Sequence, residues 1–239
     1  MGIIEEYLEL TYKYKKEYGE KTIILMQCGS FMEVYSWIKD GIYQDSDILE
    51  FSKICDMIIA PKSKVLYKKN PVVMAGFGIG QIEKYVKKLQ EFNYTIVIYT
   101  QDIQGKNTTR SLSEIISPGT FFANDENKIS NITMSITVNI IDGNKYLPKS
   151  LFIGLSTIDI LTGISTLHEY TIPYHHNPSS YDNIERLVST YNPSEILFLS
   201  NMEEKQINDI YTFIGIKNIK VHNLQKSNIF TKNQLDNSF

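Results

Sequence analysis

Along residues 3–18, Ile4, Tyr7, Leu8, Leu10, Tyr14 and Tyr18 recur among charges at roughly helical spacing. This predicts an amphipathic helix that Gly19 stops. The run Thr22-Ile23-Ile24-Leu25-Met26-Gln27-Cys28 is short and rich in β-formers, and predicts a buried strand. Gly29-Ser30 breaks it, and alternation resumes from Phe31 to Tyr35 as a second strand. Residues 47–55 predict a helix capped by Asp45 or Ser46, 57–59 an extended piece, and 61–70 a basic loop without an acid. A strand over 72–76 follows, then a helix over 79–92 with Ile82, Tyr85, Val86, Leu89 and Phe92 on one stripe, and a strand over 94–99. A turn at 105–108 leads into residues 111–117 and the stop Pro118-Gly119.

Residues 124–131 are polar and are expected to link two domains. Beyond them, 132–141, 151–158 and 164–170 predict three consecutive strands, with Asp142-Gly143-Asn144 and Leu161-Thr162-Gly163 as turns. After a loop over 173–180 come a helix at 181–191, a strand at 195–199, a helix at 203–213 and a strand at 217–221. Strands first, then helix and strand in alternation, imply a mixed sheet with helices packed on it. The expected class is α/β: two consecutive mixed-sheet domains over 1–125 and 130–225, with 226–239 a polar tail or the start of a further domain. The polar end at Phe239 favours a cut or split chain.

The 239 residues suffice for two modest cores. Lys and Arg total 24 against 27 Asp and Glu, a net charge of -3. A protein that grips nucleic acid over much of its surface carries a basic excess, so any DNA contact here is expected to be local and salt-sensitive. No stretch approaches the ~18 apolar residues of a membrane span, and the start lacks the pattern of a secretory signal. Glu6 stands where a myristoylation motif at Gly2 needs Ser or Thr. Cys28 and Cys55 suit a reducing compartment. The expectation is an intracellular protein, in a compartment with DNA, and no membrane partner.

Candidate chemistry centres on Gly29-Ser30-Phe31-Met32-Glu33-Val34-Tyr35. Strand alternation puts Phe31, Glu33 and Tyr35 on one side and Met32 and Val34 on the other. Met32 and Val34 can face a core, and Phe31 and Glu33 are then expected to project together. A phenylalanine ring can wedge between base steps from the minor groove, at a cost that is smaller where a pair is already mismatched. A carboxylate repels phosphates, and belongs there only beside a base edge with a proton to share.

The segment Gly29-Ser30-Phe31-Met32-Glu33 resembles the Gly-Asp-Phe-Tyr-Glu of MutS mismatch-repair proteins. Further ordered motifs resemble that family: Val73-Met74-Ala75-Gly76, Glu83-Lys84-Tyr85-Val86-Lys87-Lys88-Leu89, and Ile115-Ile116-Ser117-Pro118-Gly119-Thr120. In the second half, Gly154-Leu155-Ser156-Thr157-Ile158-Asp159 with Thr162-Gly163, and Tyr191-Asn192-Pro193-Ser194-Glu195-Ile196-Leu197, are similar to its connector domain. The resemblance implies a mismatch-recognition domain (MutS domain I-like) followed by an RNase H-like connector (domain II-like). Phe31 would then stack on a mismatched base and Glu33 would hydrogen-bond to it. Lys62, Lys64, Lys68 and Lys69, with Arg110, would touch the DNA backbone.

The implied partners are double-stranded DNA with a mismatch or small loop, the remaining MutS domains or a second MutS-type subunit, and a MutL-type protein through the connector. ATP and Mg belong to the family's ATPase domain, whose Walker A sequence does not occur here, so no cofactor and no catalysis are expected of this chain. The alternative is an allosteric or protein-interaction connector module with little DNA binding of its own. The acidic balance, Glu114 where the family has an Arg, and Phe77-Gly78-Ile79-Gly80 for Ile-Pro-x-His motivate it, whereas Ser30 for Asp and Met32 for Tyr leave the reader pair untouched.

Weaker candidates carry less. His168, His175, His176 and His222 lack ligand spacing, so no metal site is expected. A metal-dependent nuclease needs convergent carboxylates, and Asp142, Asp159 and Glu195 show no such pattern. Gly76-x-Gly78-x-Gly80 is not followed by the Gly-Lys-Ser/Thr of a phosphate loop.

Overall fold

A computed structural model describes residues 2–104, 107–121, 130–175, 177–216 and 219–224. The expected link at 124–131, apart from Ser130 and Asn131, lies outside the described residues, as do Gly105, Lys106, His176 and the tail from 225. The chain divides into two compact units, Met1–Phe121 and Phe122–Phe239.

In the first unit, α1 (Ile3–Tyr18) buries Ile4, Tyr7, Leu8 and Tyr14 of its predicted stripe together with Thr11, while Leu10 and Tyr18 are partly buried. There follow β1 (Thr22–Cys28), β2 (Phe31–Lys39), β3 (Ile42–Gln44), α2 (Ile48–Cys55), β4 (Ala60–Tyr67), β5 (Asn70–Gly78), α3 (Ile82–Glu91), β6 (Thr95–Gln104) and β7 (Asn107–Ile116). The strands lie in the order β4-β5-β2-β1-β6-β7, with β3 on the far part of β2. Only β1 and β6 pair in parallel among these strands.

Both faces of this sheet are covered. Tyr7 of α1 meets Tyr35 of β2 edge-on at 5.2 Å. On the opposite face Phe51 of α2 stacks on Phe77, which pairs with Met32. Helices on both sides turn the alternation seen at Phe31–Tyr35 into continuous burial from Met32 to Trp37.

The segment 61–70 is a strand and not the expected loop. It forms the sheet edge, β4, joined to β5 by a two-residue turn in which Lys68 and Lys69 take positive φ (49° and 66°). Such a turn matches the twist of the flanking strands. Pro61 and the lysines suit an edge, where one side of the backbone has no strand to pair and charge discourages a second chain. Near its end the unit is closed by a turn in which Ser117 N donates to Thr120 Oγ1 (3.0 Å) and Thr120 N to Ser117 O (3.1 Å).

The second unit contains β8 (Ile132–Ile141), β9 (Ser150–Asp159), β10 (Ser165–Pro173), α4 (Asp182–Tyr191), β11 (Glu195–Ser200), α5 (Glu204–Phe213) and β12 (Lys220–Leu224). Its strand order is β10-β9-β8-β11-β12. The first three pair antiparallel, while β11 pairs in parallel with both neighbours. Met134, Ile136, Val138, Leu151, Ile153, Leu155, Ile196 and Phe198 turn one face of the sheet toward Ile184, Val188 and Ile210 of the helices. This is the mixed sheet expected from three strands followed by alternation; the last strand is Lys220–Leu224, and the expected start at 217 lies outside the described residues. Among the described residues no helix is long and apolar enough to cross a membrane.

Asp159 ends β9 as a structural acid. Its Oδ1 accepts from Asn131 N and Leu161 N, both at 3.0 Å, and the bond from Asn131 is the chief cause of its lowered pKa. A carboxyl with a folded value below the ordinary 3.8 adds stability that is complete above that value and is lost as pH falls through the lowered one. Asp159→Asn is therefore expected to melt below wild type at pH 7, with the gap closing in strong acid. Parallel thermal melts from pH 7 to pH 2 check this; a gap independent of pH sinks it.

Candidate nucleic-acid interface

Phe31 is the first residue of β2 and follows a two-residue hairpin turn, since Cys28 pairs with Phe31. Gly29 takes φ 61° there, a left-handed conformation that suits glycine in such a turn. The turn is braced from the side. Gln27 Nε2 donates to Gly29 O (3.0 Å), Gly29 N donates to Gln101 Oε1 (3.0 Å), and Gln101 N donates to Gln27 Oε1 (2.9 Å). Arg110 Nε adds a bond to Gln27 O (2.8 Å). Across the sheet Phe31 pairs with Gly78, which has no side chain to cover the ring. Phe31 is 52% exposed. A large aromatic on a braced turn can enter a base step with little ordering cost.

Glu33 behaves differently from the expectation that it projects with Phe31. It is only 6% exposed. Its Oε2 accepts from the Tyr35 hydroxyl and from Lys62 Nζ, both at 2.5 Å. Burial raises the Tyr35 phenol far above its ordinary range, and the Glu33 carboxylate beside it pushes in the same direction. Tyr35 therefore stays an O–H donor at any working pH. A carboxylate this little exposed is stable only where partners replace its water, and here the Tyr35 hydroxyl and the Lys62 ammonium do so.

Room for this carboxylate comes from Gly76, which pairs with Glu33. A Cβ at Gly76 would lie 2.4 Å from Met32 O and 3.2 Å from Glu33 Cγ. Sequence reasoning quoted Gly76 only as part of a motif and did not use Tyr35. The alternation already placed Tyr35 on Glu33's face, so that acid–phenol pair was readable.

The predicted backbone-contact residues divide into two groups. Lys62 is turned inward: besides Glu33 it approaches Met74 Sδ (3.5 Å) and the Tyr35 ring (5.3 Å). Lys64, Lys68 and Lys69 are exposed on β4 and its turn. Lys68 also rests over the Tyr67 and Trp37 rings, at 4.9 and 5.7 Å. Arg110 lies on β7, which pairs with β6, and its side chain reaches across to the Gln27 carbonyl at the end of β1. The altered segment Phe77–Gly80 buries Phe77 against Phe51 and Tyr85, and Ile79 N donates to Ser30 O (2.9 Å), a further brace on the turn.

The remaining polar candidates are occupied in other ways. Glu195 pairs with His222 across β11 and β12, and His168 Nε2 lies 3.2 Å from the Tyr191 hydroxyl. Asp142 is exposed near Lys149. Among the described residues no three His, Cys, Asp or Glu side chains group as a metal site.

Residues 3–125 match the family model MutS domain I. A putative DNA mismatch repair protein mutS homolog from Acanthamoeba polyphaga mimivirus is 27% identical over 220 residues, covering 89% of this chain and 19% of that protein. The DNA mismatch repair protein MutS of Fusobacterium nucleatum is 23% identical over 94% of the chain and 23% of its own length. That of Staphylococcus aureus is 24% identical over 98% of the chain and 23% of its length. The chain thus spans about a fifth of the length of the curated relatives it matches.

Proposed function

The chain belongs to the MutS family through its domain I, and on that footing we propose that it binds duplex DNA at mismatches or small loops in mismatch repair. The observation that carries this reading is the half-exposed Phe31 ring on a braced turn. Phe31 enters the minor groove and unstacks a base step, which a mismatch makes cheaper. Glu33 takes part from one layer deeper and meets the base once the duplex has bent onto the turn. Lys64, Lys68 and Lys69 hold the phosphates without reading sequence. The chain itself performs no catalysis; its partners are the mismatched duplex and further MutS domains or a second MutS-type subunit.

The test is a fluorescence-anisotropy titration of matched and single-mismatch duplexes at several salt concentrations. Wild type is expected to prefer the mismatch at low salt and to lose affinity steeply as salt rises. Lys64→Ala with Lys69→Ala should weaken both duplexes equally and make the log–log salt slope shallower by about two, near 0.9 for each lysine. No binding at tens of micromolar in low salt would sink the reading and favour a connector that serves protein partners alone.

A further inference from the structure

Lys62 comes from the sheet edge, yet its ammonium lies under the neighbouring strands. The pairing of β4 with β5 runs in register at Ala60 and Pro61, breaks, and resumes at Leu66, with Lys64 at φ 62°. A bulge of this kind re-aims side chains. Here it turns Lys62 toward Glu33 and leaves Lys64 exposed.

We propose that Lys62 is the neutralising partner of Glu33 and so determines mismatch specificity, and that it is not a phosphate anchor. This rests on the proposed role of Glu33 at the base. An acid carried toward a duplex meets a dense row of negative phosphates, and an unpaired carboxylate there opposes the close approach to a base edge that the mismatch complex needs and the matched duplex does not. With an ammonium at 2.5 Å the pair approaches as a neutral unit, while Tyr35 holds the same oxygen from the other side. The neutral pair then offers acceptor character to a base edge without long-range repulsion. The titratable groups recorded around the pair are Tyr35 on β2, Cys28 on β1, whose Sγ lies 4.0 Å from Lys62, and Tyr7 of α1 behind Tyr35. β5 contributes Gly76 and Met74, which do not titrate.

The experiment is a double-mutant cycle on the full chain, reading mismatch preference (the ratio of affinities for mismatched and matched duplex). Lys62→Met keeps the apolar stem and removes the charge. It should lower the preference about tenfold, as expected when one member of a buried charge pair is removed. In a Glu33→Gln background Lys62→Met should change the preference less than about twofold, with no change in salt slope. Lys62→Arg should keep the preference, and thermal melts confirm that each variant is folded. Equal weakening of both duplexes in either background, with the slope shallower by about one, would overturn the proposal in favour of a phosphate contact. The two readings fail separately. Loss of preference in Phe31→Ala without coupling between positions 33 and 62 removes only the role of Lys62. A preference that survives Phe31→Ala removes base reading itself.

Discussion

Phe31→Ala is expected to bring the affinities for mismatched and matched duplex to near equality while weak general binding persists. The ring is half exposed and contributes little to the core, so the melting temperature should hold within a few degrees. Base–aromatic stacking is worth about 1–3 kcal/mol, so a preference of about tenfold to a hundredfold depends on it. The turn beneath keeps its bonds among Gln27, Gly29 and Gln101, which run through backbone and neighbouring amides and not through the ring. Phe31→Leu separates two contributions. A leucine can still wedge a step open but cannot stack, so it should retain part of the preference. Paired titrations of wild type, Phe31→Leu and Phe31→Ala give the answer, and an unchanged ratio in Phe31→Ala rules out the wedge.

Gly76→Ala is expected to be the most damaging single-methyl change in the first unit, and Gly78→Ala on the same strand nearly silent. At Gly76 the new Cβ would stand 2.4 Å from the Met32 carbonyl, a backbone atom that cannot swing aside. Overpacking of that kind costs about 1–3 kcal/mol and sometimes more, and the displaced neighbour here is the Glu33 backbone and stem. A fall of roughly 5–15 °C in melting temperature follows. At Gly78 nothing lies within 4 Å of the added atom and φ is -63°, which alanine adopts freely. Its melt should match wild type within about 0.5 kcal/mol. Two glycines two residues apart thus have opposite fates, and differential scanning fluorimetry on both variants shows it. Equal melts for the two would mean that the β2–β5 pair relaxes around Gly76, and that the glycine is not needed to house Glu33.

Much of this protein was legible from residue order. The stripe from Ile4 to Tyr14 fixed the covered face of α1, because helical period and burial are the same fact seen twice. The three strands followed by alternation in the second unit emerged as read, since each run has its own period and its own turn residues. Gly29-Ser30 marked the hairpin, and the position of Phe31 just beyond it marked the exposed ring. Asp159 could be seen as an acid at a strand end, but not that two backbone amides already hold its oxygen.

Local pattern thus settled most of the helices and strands, though not β3 or the edge strand β4, and put an aromatic and an acid two positions apart on one face. Tertiary structure alone decided that the acid is buried. That outcome depends on the Tyr35 hydroxyl bonding the acid, on Gly76 across the sheet leaving space, and on a register break in β4 delivering Lys62 from 29 residues away. Period-two alternation says which side a residue takes, whereas depth depends on what lies above that side, and no local run of residues encodes a neighbour that distant in the chain.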